Sequence, residues 1–390
     1  MQNATDIFMQ NDMLRAAFLS KARLVMRPVP AVSLAPAASR IALFRLAATG
    51  LLIGTTITVT ASLTNSSAAT AVLSNFGLAN LVKRIILTDL SNNQRVDVDG
   101  RSLHAINSAR QGWLYGAAYN TGIPTGFGFN KPIFNAPATL AAGATTVVTM
   151  QYYVPAAYSK TNLRGAIQKN FFNNSVQITV ELNDQIFGSQ IAAEAPLRPV
   201  DSVYNATTLA GANLSGYTAN SQVTVNCLEH YYDGEEAYQY IPPLDVASTY
   251  EIKTVGLNTP TANSDYAINY VSQRENLSSY VIFDNAGTFG DVNLLQSQLV
   301  DASSLIRHNL TSLEVALMER QIFMADTPDG ATYFDYRNQP INTITNGAVA
   351  LLMKWAVVNP GARVFHTIEA FLDNGIGIAG GTVPSLSSVQ

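Results

Sequence analysis

Strict alternation of apolar and polar residues is the pattern that most constrains the fold of this chain. From residue 57 to residue 64 every odd position is apolar and every even position is Thr or Ser. A period of two places the two kinds of side chain on opposite faces of an extended strand. Residues 176–183 and 222–227 repeat the pattern. These segments predict strands with one face in a core and the other outside it.

Two longer apolar segments, residues 143–155 and residues 347–360, resemble each other. Each begins with Gly-Ala, continues through a long apolar run and ends at Pro. Strands that are separated by Gly, Pro and Asn turns favour a β-sandwich or barrel. A strand pattern that returns in the second half of the chain predicts two tandem copies of one β-sandwich.

The length of 390 residues exceeds what a single core usually supports, so two domains are expected. The polar, Gly-rich stretch 198–222 is the best candidate linker. The sequence predicts four parts: an N-terminal amphipathic basic arm (1–40), a first sandwich (41–212), a second sandwich (213–378) and a C-terminal tail (379–390).

Three segments carry helical patterns among the predicted strands. A short helix is predicted near Ser102, and another at the N-terminus between Asp6 and Leu24. In the N-terminal segment Ile7, Leu14 and Phe18 share one face. Met13 and Ala17 lie beside that face, and Asp12, Arg15 and Arg23 lie opposite it. The third helix is predicted from residue 304 onward, because its apolar residues recur at helical spacing. Those residues are Leu305, Ile306, Leu310, Leu313 and Leu317.

The N-terminal segment is also the most basic part of the chain. Residues 1–46 contain six basic and two acidic residues, whereas the whole chain has a net charge of -4. A basic amphipathic helix rests on an anionic membrane surface or docks on a partner. The membrane-facing candidates are Arg15, Lys21, Arg23 and Arg27. The alternative is a terminal helix that covers its own sandwich or that of a neighbouring copy.

Charge is scarce in the rest of the sequence. Only 13% of residues are charged, about half of the usual share of roughly 25%. With a net charge of -4 the chain has no basic field that would hold a nucleic-acid backbone, so no direct nucleic-acid contact is expected. A surface rich in Asn, Ser, Thr and Gln instead indicates a β-rich protein, or one whose surface is largely covered by neighbouring subunits.

Side chains that carry chemistry form no convincing site. The histidines have no metal-ligand spacing, and the single cysteine, Cys227, is expected to be a small buried apolar residue. The acidic loop with Glu235 and Glu236 is the weak case for a glycosidase that uses paired carboxylates. The glycine motif at residues 375–380 has no helix after it to receive a pyrophosphate. No catalytic residue, cofactor, metal or small-molecule substrate is therefore predicted.

Several long blocks of the sequence resemble the major capsid protein of tectiviruses, icosahedral bacteriophages with a membrane beneath the protein shell. The blocks are residues 76–112, 135–167, 281–290 and 333–364. They begin FGLANLVKRIILTDL, NAPATLAAGATTVVT, VIFDNAGTFG and YFDYRNQPINTIT, and they span most of the chain.

The resemblance implies an all-β double jelly-roll of two eight-stranded sandwiches with short helical insertions. It also implies a homotrimer of pseudo-hexagonal outline, contacts with neighbouring capsomers and minor capsid proteins, and an N-terminal helix against the internal membrane. Such a chain is expected to be made in the host cytoplasm and to reside in the virion. Two alternatives stay open at this point: a minor vertex or receptor-binding jelly-roll protein, and the glycosidase.

Overall fold

A computed structural model describes the chain over most of its length. The described residues are 4–36, 38–111, 134–169, 175–184, 186–189, 201–206, 222–286, 293–302, 306–323, 327–328 and 330–372. The predicted C-terminal tail, the glycine motif and most of the candidate linker lie outside these residues.

Among the described residues, the first part of the chain contains two helices and fourteen strands. They are α1 (Ala4–Lys21), β1 (Arg23–Leu34), β2 (Ile41–Arg45), β3 (Leu51–Thr64), β4 (Ala71–Leu73), β5 (Val82–Thr88), β6 (Gln94–Val98), α2 (Gly100–Gln111), β7 (Phe134–Asn135), β8 (Thr139–Leu140), β9 (Thr145–Pro155), β10 (Ile167–Gln168), β11 (Gln177–Leu182), β12 (Phe187–Ser189), β13 (Tyr204–Ala206) and β14 (Val223–Asp233).

The described residues of the second part contain two helices and nine strands. They are α3 (Pro243–Ala247), β15 (Thr249–Leu257), β16 (Asp265–Asn269), β17 (Arg274–Asp284), β18 (Leu294–Val300), β19 (Ile306–Leu310), α4 (Ser312–Phe323), β20 (Ala331–Asp335), β21 (Ile341–Asn342), β22 (Ala350–Trp355) and β23 (Arg363–Leu372). Short 3-10 turns occur at Gly77–Leu81 and Tyr238–Tyr240.

The second part forms a jelly-roll. Apart from the two-residue β21, its eight strands divide between two sheets with the orders β15-β23-β17-β20 and β16-β22-β18-β19. In chain order these are strands 1-8-3-6 and 2-7-4-5, which is the nested pairing that rolls an antiparallel ribbon into a sandwich. We call the β16-β22-β18-β19 sheet the far sheet.

The first part is also a sandwich. One sheet, which we call the long sheet, has the order β1-β14-β3-β9-β7, with β10 also paired to β3. Opposite it lie β2-β11-β5-β6, and the short strands β12-β13-β4-β8 form a further sheet. The alternation predicted for β3 is confirmed, since Ile57, Val59, Ala61 and Leu63 are all buried.

The structure corrects the predicted domain boundaries at two strands. The division at residue 213 assigned β14 to the second sandwich, yet β14 pairs along its length with β1 and β3 of the first. Strand β1, predicted as part of a separate arm, is the edge of that same sheet. Both assignments were wrong because strand pairing is a long-range contact that local composition does not report.

The two jelly-rolls share a sheet and a core. Strand β6 of the first pairs in parallel with β15 of the second, with Val96 opposite Ile252, so a nine-stranded sheet runs through both halves. One buried cluster contains Ile106 of α2 together with Tyr250 and Tyr280 of the second half. A separate cluster around Trp355 fills the second sandwich. The halves are therefore joined by packing as well as by the chain.

The helix predicted from residue 304 differs from the observed structure. Residues Ile306–Leu310 form β19, which pairs with β18, and α4 begins only at Ser312. Within α4, Leu313 and Leu317, two of the apolar residues at helical spacing, are 68% and 50% exposed. The buried stripe consists of Val315, Glu319 and Phe323. Helical spacing identified apolar residues in this segment, but the face of α4 that packs against the rest of the protein is a different one.

Candidate functional site

The best-defined polar contact of the N-terminus joins α1 to α3. The Arg15 guanidinium donates to both oxygens of the Asp245 carboxylate, Nε to Oδ2 at 2.6 Å and Nη2 to Oδ1 at 2.7 Å. Asn11 Nδ2 donates to the same carboxylate at 3.0 Å. Asp245 is 2% exposed, and its hydrogen bond with Arg15 raises the pKa of that guanidinium. Such a bidentate pair fixes orientation as well as position.

Apolar packing completes the docking of α1 on the long sheet. Phe18 is fully buried and meets the ring of Tyr232 edge-on, with centroids 5.8 Å apart. Leu51 and Ile53 of β3 belong to the same cluster. Near the helix end Lys21 Nζ donates to Tyr240 Oη at 3.3 Å. The helix thus covers one end of its own sandwich, as the alternative interpretation of this segment predicted.

The outward side of α1 carries apolar and acidic side chains, since Asp6 and Asp12 are exposed there together with three large apolar residues. Phe8, Met9 and Met13 are 41%, 60% and 70% exposed. Met9 and Met13 are four residues apart, so they lie on one face of the helix. Sequence reasoning missed Phe8 and Met9, because it placed only Met13 beside the apolar face of the helix. The Met9-Met13 spacing was the available signal.

Two of the four basic candidates lie on β1 rather than on the helix, which ends at Lys21. Arg23 is exposed at the start of the strand. Arg27 contacts Glu229, with Nε donating to Oε1 at 2.5 Å. The charges of Arg15 and Arg27 are therefore already compensated inside the chain, whereas Lys21 and Arg23 present theirs at the surface.

Glu229 also holds a buried lysine. Lys169 Nζ donates to Glu229 Oε2 at 2.8 Å, and the two side chains are 1% and 0% exposed. The ammonium lies 4.5 Å from the centroid of the Tyr231 ring. Burial lowers the pKa of Lys169, and the hydrogen bond to Glu229 opposes that effect. This group, which we call the Glu229 cluster, ties β1 and β14 to the segment after β10.

A second polar group lies where the two jelly-rolls meet. Tyr250 Oη donates to Glu369 Oε1 at 2.6 Å, and Ser278 Oγ donates to Glu369 Oε2 at 2.7 Å. Arg110, at the end of α2, donates to Tyr250 Oη at 2.7 Å and so reaches from the first half into the second. Glu369 is fully buried, so hydrogen bonds from these donors replace the hydrogen bonds that its carboxylate would make with water.

A cavity of about 380 Å³ opens beside this junction, between β5 and β6 of the first half and β15 and β23 of the second. Its lining contains four basic and four acidic side chains, and most of them are paired with one another. Arg84 binds Asp97 through two contacts of 2.6 Å, and Arg363 binds Asp201 at 2.8 Å. The formal charges of the lining therefore sum to zero.

The described residues offer no arrangement for catalysis or metal binding. No group of three or more His, Cys, Asp or Glu side chains among them has the geometry to hold a metal ion. Glu235 and Glu236 are both exposed in a turn. Cys227 is buried as predicted, and burial raises the pKa of its thiol to about 12. Within the described part of the chain, no helix is both long and apolar enough to span a membrane.

Two jelly-rolls that share one sheet define a double jelly-roll, and solved capsid proteins have this fold. A chain from the structure of Sulfolobus Turreted Icosahedral Virus superimposes with a TM-score of 0.63 at 11% identity, covering 90% of this chain and 91% of that one. For PBCV-1 VP54, fitted into a reconstruction of the virophage Sputnik, the TM-score is 0.54 at 11% identity, with 93% and 98% covered. The fold class is therefore the double jelly-roll.

Sequence comparison identifies the family within that class. Residues 1–240 match the P3 major capsid protein N-terminal family, and residues 247–385 match its C-terminal counterpart. Major capsid protein P3 of Enterobacteria phage PRD1 is 30% identical over 344 residues, which cover 86% of this chain and 84% of that protein. The chain belongs to the P3 major capsid protein family. It is a structural component of the virion capsid and not an enzyme, which excludes the vertex-protein and glycosidase alternatives.

Proposed function

We propose that three copies of this chain form a homotrimer with a pseudo-hexagonal outline, and that such trimers tile an icosahedral shell over an internal membrane. The observation that supports this most is the shared nine-stranded sheet, which joins two jelly-rolls of one chain side by side. Three such chains around a threefold axis supply six similar lobes. In the shell each trimer contacts neighbouring capsomers and minor capsid proteins.

The trimer has a direct test in sedimentation velocity of the full chain. We expect a single species of three times the chain mass of 41.9 kDa at micromolar concentration. Light scattering after size exclusion provides an independent mass. A chain that stays monomeric across this concentration range contradicts the proposed assembly.

We further propose that α1 meets the internal membrane through its outward apolar side. Phe8, Met9 and Met13 would enter the boundary between headgroups and acyl chains, while Lys21 and Arg23 approach the headgroups. Arg15 and Arg27 instead hold the helix and β1 in place through Asp245 and Glu229. Apolar burial then supplies most of the binding free energy, and charge adds a smaller part.

Replacing Met9 and Met13 together by Ser is expected to weaken binding of the trimer to phosphatidylcholine vesicles by roughly 100-fold or more. Loss of one buried methionine costs about 1.5–3 kcal/mol of transfer free energy. Vesicle flotation measures the effect. The matched control is Met26→Ser, because Met26 is 61% exposed but lies on β1. Equal binding by the wild-type chain and the double variant would refute the apolar contact.

A further inference from the structure

The long sheet has an outer face that carries no charged side chain over most of its width. On β3 this face consists of the even positions from Thr56 to Thr64, which are Thr or Ser. On β9 it consists of the odd positions from Thr145 to Tyr153, and on β14 of Thr224, Asn226 and Leu228. The register joins these positions into one surface, since Thr58 lies opposite both Gln151 and Asn226. We call this surface the threonine face.

The threonine face is ordered and partly open. Thr60 and Thr149 hydroxyls are 3.3 Å apart, and those of Thr64 and Thr145 are 2.8 Å apart, so side chains bond across strands. Val147, in the same surface, is 51% exposed. At the other end of the sheet, where Leu51 and Tyr232 point outward, α1 covers the surface through Phe18. The helix thus covers the apolar end of this side of the sheet.

The outer face of the far sheet, by contrast, carries charged side chains. There Asp265 lies opposite Lys354 in the register, and Arg307 belongs to the edge strand β19. Natural sheets place such charges on surfaces and edges that face water, because they oppose association. Depletion of charge is instead the compositional mark of the central part of a protein interface.

The threonine face is large enough to form the central part of a subunit contact. With strands about 4.8 Å apart and about 3.4 Å per residue, its three strands over the length from Thr56 to Thr64 present roughly 400 Å². Counting both partners, roughly 800 Å² would be buried, so residues around the face complete an interface of the roughly 1,200–2,000 Å² that specific contacts bury. In a threefold ring the contact joins different surfaces of adjacent chains, so the partner surface need not be another threonine face.

We propose that the threonine face is the surface through which one chain packs against a second copy of itself within the trimer. The inference rests on the proposed homotrimer and deepens it by naming the contact. Hydroxyl and amide groups can pair across such an interface without the desolvation cost of a buried charge. A charge placed in the centre of this face would lose its water on assembly and find no partner among the neighbouring side chains.

The test is a charge placed in the centre of the face, Gln151→Lys, with Gln298→Lys as the matched control. Both glutamines are partly buried on the outer face of a paired strand, Gln151 in the long sheet and Gln298 in the far sheet. In sedimentation velocity, Gln151→Lys is expected to weaken trimer association by at least about 100-fold, because an unpaired buried charge is costly. Gln298→Lys is expected to leave association unchanged.

A second measurement covers the case in which the lysine variant fails to fold. Val147→Cys places a thiol at an exposed position of the threonine face, while the native Cys227 is buried. In the trimer we expect this thiol to react with a maleimide at least about tenfold more slowly than a free thiol of the same pKa.

The outcomes separate the two proposals. A wild-type chain that is monomeric defeats the trimer itself. If the wild-type chain and folded Gln151→Lys are equally trimeric, or if the Val147→Cys thiol reacts as a free thiol does, the trimer stands and the assignment of the threonine face is wrong.

Discussion

Glu229→Gln is expected to lower the free energy of unfolding by about 3–5 kcal/mol, because it leaves a buried lysine without its counter-charge. Lys169 and Glu229 are 1% and 0% exposed and lie 2.8 Å apart. The glutamine keeps the shape of the side chain, so the loss reports the charge and not a cavity. Chemical denaturation followed by fluorescence measures it.

The chain contains a matched exposed pair for comparison. Lys83 and Glu181 are also 2.8 Å apart, but their side chains are 56% and 31% exposed. Glu181→Gln is expected to cost about 1 kcal/mol or less, since water screens the charges of an exposed pair. Similar losses for Glu229→Gln and Glu181→Gln would show that burial does not set the strength of the Glu229 cluster.

Removing both charges of the buried pair should cost less than removing one. In Glu229→Gln with Lys169→Met no ammonium remains to be desolvated, so part of the lost stability is expected to return. Arg27 keeps access to solvent, with 37% of its side chain exposed, and so tolerates the loss of Glu229 better than Lys169 does.

Acidification below pH 6.5 is expected to destabilise the folded chain steeply. Burial lowers the pKa of His104 and of His366 to about 3, and that of His230 and of His308 to about 4. These are the four histidines of the sequence. In the unfolded chain each returns to its ordinary pKa of about 6.5, so unfolding takes up protons once the pH falls below that value.

The sign and the pH window follow from these pKa values. The contribution of the histidines to the free energy of unfolding is fully present above pH 6.5. It is lost as the pH falls toward 4, by up to about 1.4 kcal/mol per pH unit for each histidine. Between pH 6.5 and 5 most carboxylates are still ionised, so the histidines dominate the loss. The free energy of unfolding measured by denaturation between pH 7.5 and 5 tests this expectation.

A single substitution provides the control. His366 Nε2 lies 2.7 Å from Ser279 Oγ, and a glutamine amide can occupy the same hydrogen bond without titrating. His366→Gln is therefore expected to remove about one proton from the uptake on unfolding, which reduces the slope of stability against pH by about a quarter of the histidine contribution. An unchanged slope contradicts the role of this histidine.

The strand content of the protein was predictable from local patterns. The alternation at residues 57–64 gave both the strand β3 and its buried face, because side chains of an extended chain necessarily point to opposite sides. The turn residues that bracket β9 and β22 likewise located two strands of the two halves. The resemblance to the tectivirus capsid family carried the fold and the role, both of which are confirmed.

The position of α1 was less predictable, because its sequence offers two apolar faces. Sequence reasoning left open whether the face with Phe18 meets a membrane, a partner or the chain's own sandwich, and the chain itself covers that face. Arg15 appeared available to a membrane until the structure brought Asp245, 230 residues away, into contact with it. The basic charge of a segment therefore does not show which charges remain free to act.

By itself the sequence determined that this chain is β-rich, low in charge and built from two similar sandwiches, because residue periodicity and composition act through local geometry and solvation. Only the tertiary structure decided that β1 and β14 close the first sandwich, that Lys169 meets Glu229, and that one uncharged sheet face stays partly open. These outcomes depend on contacts between residues far apart in the chain. No local pattern encodes them, since each contact exists only once both segments have folded.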